Sequence, residues 1–239
     1  MKKLSYLLFL LTIAGETLFS SADNIMSDEN KEYWSDHYAR TTPPSEASTF
    51  AVFVLNSYLL PENITTLTEF GCGGGRDSKF FASHGLRVVA TDNANSVITR
   101  NSESNIFGNL QFCVTDVSDL TALNTLEASE AYYARFFLHS LPQSTRNQFL
   151  SWLGTIHKDA LLCLEFRTDK DPMKEKSTAL GDTTIAKTDH FRRFESKDSV
   201  KDELIEKGFG VLFEIESAGL SIHGDDDPVL ARLILKKLR

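Results

Sequence analysis

The sequence predicts an α/β fold with a doubly wound, mostly parallel seven-stranded sheet whose last strand runs antiparallel. Three observations lead there. From Thr65 onward, short β-branched runs alternate with helix-period segments, the rhythm of a parallel sheet covered by helices on both faces. One run, "ALLCLEFRT" (160–168), is continuously apolar, as a strand buried on both faces should be. The chain then closes with "GVLFEIESAGL" and "PVLARLILKKL", two strand-like runs joined by the short polar link "SIHGDDD". A link that short joins antiparallel strands.

Each element has a local reason. "SEASTFAVFVLNSYLL" reads as a helix capped by Ser45 or Ser48, with Phe50, Phe53, Val54 and Leu59 apolar and Pro61-Glu62-Asn63 ending it. "TTLTEF" is the first strand. "GRDSKFFASHG" is a helix closed by Gly85, "LRVVATD" the second strand, "NSVITRNSESN" a helix and "LQFCVTDV" the third strand. "EAYYARFF" is the fourth strand, followed by the helix "QSTRNQFLSWLGTIH" with Phe149, Leu150, Leu153 and Ile156 on one side. The stretch from Asp169 to His190 is long, polar and without periodicity, the profile of a functional loop.

Bulk properties bound the function. The chain has 239 residues, 41% of them hydrophobic, enough for one sizeable core. A net charge of −8 argues against a nucleic-acid partner, which needs a basic footprint. The three cysteines, Cys72, Cys113 and Cys163, have no CxxC spacing, so neither a metal site nor a disulfide framework is expected. At the N-terminus, Lys2 and Lys3 precede an apolar run from Leu4 to Gly15, and Ser20-x-Ala22 offers a small-residue cleavage site. Residues 1–25 therefore read either as a secretory signal peptide or as a leader preceding a true start at Met26, with 26–239 as one domain. The run is short for a transmembrane helix.

"TEFGCGGGRDSKFF" carries four glycines between the first strand and the next helix. Such a turn lets backbone approach a ligand and points helix N–H groups at it. A phosphate loop needs GxxxxGK[ST], and no such lysine follows. A dinucleotide loop needs GxGxxG, but Arg76 stands where a small residue is required. The spacing Glu69-x-Gly71-x-Gly73-x-Gly75 instead resembles motif I, [DE]xGxGxG, of the class I S-adenosylmethionine-dependent methyltransferases. Asp92 at the end of "VVATD", Asp116-Val117 at the end of "FCVTDV", and the closing strand pair follow that family's order from about Tyr33 to Arg239.

The resemblance implies a methyltransferase with S-adenosyl-L-methionine as cofactor. Asp92 would accept both ribose hydroxyls, and Asp116 the adenine amino group beside Val117. The implied cofactor lining is Glu69, Gly71, Cys72, Gly73, Gly75, Asp77, Asp92, Asn93, Asp116, Val117 and Arg135. Each acid, taken alone, reads equally as a strand-end or helix-cap residue. The N-terminal rings Tyr33, Trp34 and Tyr38 would cover the cofactor in that family; otherwise they pack on the sheet.

Methyl transfer is an in-line displacement that needs a positioned nucleophile and, for a hydroxyl, a proton acceptor. No [ND]PP[YF] tetrapeptide follows the fourth strand, which disfavours base or amide nitrogen and favours oxygen. His139 is the candidate base, since imidazole titrates near neutrality; the alternative is a structural histidine at a helix start. Arg167, His190, Arg192 and Arg193, with Tyr33 and Tyr38, are candidate acceptor-binding residues, because guanidinium forks hold carboxylate or phosphate. The alternative pairs those arginines with Asp169, Asp171 and Asp189. "ARFFLHS", "EFRT" and "HFRRF" are also similar to methyltransferases associated with bacterial polysaccharide and surface-glycan assembly. The expected acceptor is thus small or glycan-like and anionic, with no metal and no nucleic acid. The rival readings are a non-catalytic scaffold on the same fold and an NAD-dependent oxidoreductase. Because this cofactor is made in the cytosol, a cytoplasmic location is expected, with export or membrane association through the N-terminal signal-like segment as the alternative.

Overall fold

The computed structural model describes residues 32–38, 40 and 41, 44–175, 178 and 179, 185–187 and 191–239. The N-terminal leader and His190 lie outside the described residues. A first helix, α1, spans residues 32–38. Helix α2 (Thr49–Val54) begins at Ser48, whose hydroxyl accepts the Ala51 N–H at 3.0 Å, and runs on as a π-helical turn over Leu55–Leu59. The predicted alternation follows: β1 (Thr66–Phe70), α3 (Arg76–Ser83), β2 (Arg87–Asp92), α4 (Asn95–Glu103), β3 (Leu110–Val114), α5 (Leu120–Thr125), β4 (Ala131–Arg135), α6 (Gln143–Leu153) and β5 (Leu161–Arg167).

Beyond β5 the chain is more ordered than its composition suggests. A small three-stranded sheet pairs β6 (Thr178–Ala179) and β7 (Ile185–Lys187), within the stretch expected to be an irregular loop, with β8 (Phe191–Arg193), which directly follows it. Helix α7 (Lys197–Glu206) follows, capped by Ser196, whose hydroxyl accepts the Ser199 N–H. It buries Val200 and Leu204 alone, too few apolar positions to write a helical period. Helix α5 is equally silent in sequence, with only Leu123 buried. The chain ends with β9 (Phe209–Ser217) and β10 (Leu230–Lys237).

The seven strands order as β3-β2-β1-β4-β5-β10-β9. Strands β1 to β5 pair in parallel, and β10 lies antiparallel between β5 and β9. Two cores cover the faces. One gathers Phe50, Leu59, Phe81, Val97 and Tyr133; the other gathers Phe70, Phe149, Leu150, Phe166 and Leu204. All seven residues of β5 are buried, as its apolar run predicts, but two of them, Glu165 and Arg167, are charged and are buried in ion pairs. The strand order reverses between β1 and β4, so a crevice opens at the carboxyl ends of these two strands, where open α/β sheets take their ligands.

Candidate active site

A cavity of about 580 Å³ occupies that crevice. Gly71, Cys72 and Gly74 of the turn after β1 line its floor, whereas Gly73 and Gly75, expected to line it as well, shape the turn from beneath. Gly73 has φ +49°, and a β-carbon there would overlap the Tyr38 hydroxyl. Gly75 has φ +74° and starts α3, with the Phe112 ring 2.8 Å from where a β-carbon would stand. Both positions need glycine for conformation and for space. The turn is tied down from outside: Asn101 donates its side-chain amide to the Gly73 carbonyl at 2.7 Å, and the Cys72 N–H donates to the Thr91 carbonyl at 2.9 Å.

Asp92, at the end of β2, faces this floor. Its carboxylate accepts the Gly73 N–H and the Ala94 N–H, each at 3.0 Å. Burial raises its pKa, and these backbone donors offset part of the rise. Glu69 sits deeper. Burial, then the neighbouring Asp77 carboxylate, push its carboxyl well above the usual range, while the Ser78 hydroxyl, which donates to it, acts the other way. Cys72 lines the floor with its thiol pushed up by burial and by Asp92. Asn93, Asp116 and Val117 line the same cavity, and Asp116 accepts the Ser118 N–H and hydroxyl at 2.9 and 2.7 Å. Asp77 touches the cavity too, yet its carboxylate accepts the Ser48 N–H and hydroxyl, both at 2.7 Å, and the Tyr133 hydroxyl at 2.9 Å. It holds α2 to α3.

Helix α1 closes one side. Trp34, His37 and Tyr38 line the cavity, and Arg100 donates to the Tyr38 carbonyl. Burial and the nearby Asp92 raise the Tyr38 phenol well above its ordinary value. Tyr33 lies outside the cavity, on the outer side of α1 against Trp34 at 5.2 Å between ring centroids.

The opposite wall comes from the end of β4. Arg135 donates Nε to Glu165 at 2.8 Å and Nη2 to the Ser221 hydroxyl at 2.8 Å, and its guanidinium lies 4.2 Å above the Phe136 ring. Phe136 has φ +53°, a strained backbone for a bulky residue and the kind of outlier that gathers at functional sites. Phe137, Ser140, Leu141 and Pro142 continue the wall.

The structure moves several expected residues away from the cavity. His139 is 4% exposed, its Nδ1 faces the Arg167 N–H at 3.3 Å, and it does not line the cavity. The 3-10 turn Leu138–Ser140 points it back against β5, so a direct base role finds no geometric support. Arg167 is buried in ion pairs with Asp171 at 2.7 Å and with Asp226. Arg193 is buried against Gln143, the Leu141 carbonyl and Glu195; Arg192 lies against the Met173 sulfur at 3.3 Å. None of these three lines the cavity. Position in the chain brought them to the carboxyl end of the sheet, but their partners, acidic ones for Arg167, turn or cover them. Conversely, Ser221, Ile222, His223 and Asp226, from the β9–β10 link, line the cavity and carried no functional signal in sequence.

The family model for tellurite resistance protein TehB matches residues 26–141, a span that includes the glycine turn, Asp92, Asp116 and Arg135. The family match and the shared fold make this chain an S-adenosylmethionine-dependent methyltransferase. The methyltransferase's cofactor is therefore S-adenosyl-L-methionine. No curated protein sequence matches it. Among solved structures it is similar to the N-methyltransferase NodS of Bradyrhizobium japonicum in complex with S-adenosyl-L-homocysteine, at 13% identity and a TM-score of 0.66 over 88% of this chain and 100% of that one. A methyltransferase from Anabaena variabilis gives 19% identity and a TM-score of 0.66 over 88% and 94%. The 1,6-didemethyltoxoflavin-N1-methyltransferase of Burkholderia thailandensis gives 13% and 0.58 over 95% and 90%. At these identities the likeness is one of fold.

The methyltransferase's residues fit this cofactor. Gly71, Cys72 and Gly74 line the floor, and a carboxylate held by two backbone N–H groups faces it, the acceptor a ribose diol requires. Among the described residues, no group of three or more His, Cys, Asp or Glu could hold a metal ion, and no helix is long and apolar enough to cross a membrane.

Proposed function

We propose that this enzyme transfers the methyl group of S-adenosyl-L-methionine to a small acceptor that enters between α1 and the β9–β10 link. The single observation that carries the reading is the shared cavity: the Asp92 floor and the Phe136 wall face one space of about 580 Å³. That volume is typical of a small-molecule site. When bound, the cofactor supplies an electrophilic methyl group on a sulfonium. The chain's own residues bind and orient. Asp92 takes the ribose hydroxyls, Asp116 and Val117 meet the adenine, and the glycine turn lies under the methionine part. Phe136, Phe137 and Leu141 keep water from the acceptor end.

An anionic, glycan-like acceptor has less support than the sequence implied, because Arg167, Arg192 and Arg193 do not reach the cavity. Oxygen and nitrogen nucleophiles both suit a wall of this chemistry, and two of the similar structures are N-methyltransferases. A cytoplasmic location belongs to this reading, with 26–239 as the working domain; intact-mass measurement of the N-terminus tests it.

The experiment is a thermal-shift titration with S-adenosylhomocysteine, followed by incubation with labelled S-adenosylmethionine and fractionated extract of the source cells, with tellurite as a separate arm. A ligand at about 100 times its Kd stabilises by about 2.7 kcal/mol, a readily measured rise in Tm. Absence of any shift with either cofactor form rejects the reading.

A further inference from the structure

We propose that the β9–β10 link is the acceptor-selecting wall of the cavity, that Ile222 and His223 are its contact residues, and that the acceptor carries no negative charge. The proposal rests on the methyltransferase reading above and deepens it.

The link is held from three strands. Arg135 of β4 donates to the Ser221 hydroxyl at 2.8 Å, Arg232 of β10 donates to the Leu220 carbonyl at 2.8 Å, and Arg167 of β5 pairs with Asp226. Thr49, at the start of α2, donates to the same Leu220 carbonyl at 2.7 Å. Within the link, His223 and Asp226 exchange backbone hydrogen bonds at 2.9 and 3.0 Å, closing a tight turn. The segment is thus a fixed wall. What it presents at the cavity is Ile222, 65% exposed, and the exposed His223. A large apolar side chain held in the open on an anchored turn, across from a strained aromatic, is the arrangement of a surface that a ligand covers.

Charge sets the acceptor class. Five carboxyl side chains line the cavity against two guanidinium groups. Asp226 is paired with Arg167, Asp77 with Arg76 at 3.6 Å, and burial makes Glu69 hold its proton, so Asp92 and Asp116 are the carboxylates that face the cavity openly. One of the two guanidinium groups, Arg135, is already committed to Glu165 and Ser221. The cofactor's sulfonium suits this excess of acid, but a phosphate, sulfate or carboxylate brought beside it meets like charge. Ile222 and Phe136 offer apolar contact, and His223 and Ser221 offer hydrogen bonds to an acceptor without negative charge.

The test compares the wild type with Ile222→Arg and His223→Ala. Binding of S-adenosylhomocysteine is measured by titration, and label transfer from S-adenosylmethionine into source-cell extract is measured in parallel. Both variants are expected to keep the S-adenosylhomocysteine Kd within about twofold. They are expected to label the extract's acceptor at least about tenfold more slowly. The labelled wild-type product is expected to pass an anion exchanger at neutral pH. Labelling by both variants at the wild-type rate overturns the proposal, as does a labelled product retained on the anion exchanger. A wild type that binds S-adenosylhomocysteine but labels nothing overturns it too. A wild type that binds no cofactor instead rejects the methyltransferase reading, so the two failures are distinct.

Discussion

Asp92 and Gly73 are joined by a 3.0 Å hydrogen bond across 19 residues of sequence, from the backbone N–H of the glycine turn to the carboxylate at the end of β2. This contact binds the floor of the cavity to the acid that faces it. Asp92→Ala removes the acceptor of two backbone N–H groups and of the proposed ribose contact. Hydrogen bonds to a charged group contribute about 1.5–3 kcal/mol. The S-adenosylhomocysteine Kd is therefore expected to rise by at least about tenfold, measured by titration calorimetry. An unchanged Kd removes Asp92 from the cofactor site.

Gly73→Ala places a β-carbon on the Tyr38 hydroxyl and forces alanine to φ +49°. Left-handed backbone costs an L-residue about 1–2 kcal/mol, and the clash adds to it. In a Tyr38→Ala background the clash disappears and only the backbone cost should remain. Denaturant unfolding of the four-member cycle tests this. Full additivity of the two substitutions contradicts the contact.

Glu69 supplies a pH dependence. Its folded pKa is raised above its unfolded value, so the folded state holds this proton more tightly than the unfolded chain does. The stabilisation is complete below the ordinary carboxylate range and is lost as pH rises towards the raised folded pKa. Glu69→Gln should therefore flatten the fall of Tm with rising pH above about 4.5. Parallel Tm-against-pH curves for the two proteins refute it.

Glu165 sits between Arg135 and Arg232, with hydrogen bonds of 2.8 and 2.6 Å and no exposed side chain. Removing one member of a buried ion pair leaves uncompensated charge and costs about 3–5 kcal/mol. Glu165→Ala is expected to lose stability in that range by urea unfolding. Its S-adenosylhomocysteine Kd should stay near that of the wild type, because Glu165 does not line the cavity. A loss below about 1 kcal/mol would mean the guanidinium groups are solvated.

What the sequence made legible was local. The glycine turn, Asp92 and Asp116 stand at strand ends, and strand ends follow from periodicity, so their arrival in one crevice is a matter of topology. The mostly parallel seven-stranded sheet and its antiparallel last strand followed from the same rhythm plus the short terminal link. The acceptor half was not legible, because it depends on contacts distant in sequence. Arg135 meets Ser221 across 86 residues, and Arg167 meets Asp226 across 59. Nothing in "SIHGDDD" announces that it will be folded back over β4. Residue type misled where partners were unknown: His139 and Arg167 have the chemistry of an active site and the surroundings of a scaffold. Helix α7 escaped notice because its polar sequence buries one narrow strip.

The placement of β10 inside the sheet, bonded to β5 on one side and β9 on the other, has a consequence for synthesis. The strand made last is an interior one, so during translation β5 waits with an open edge while residues 168–229 emerge. At about 5–20 residues per second that interval lasts seconds, long enough for an exposed apolar edge to find the wrong partner. Chains stalled on the ribosome before residue 230 are expected to be cut readily by protease within β5, and chains stalled well after residue 237, with a linker clearing the exit tunnel, to be resistant. Equal resistance in both would show that the sheet closes without its interior strand.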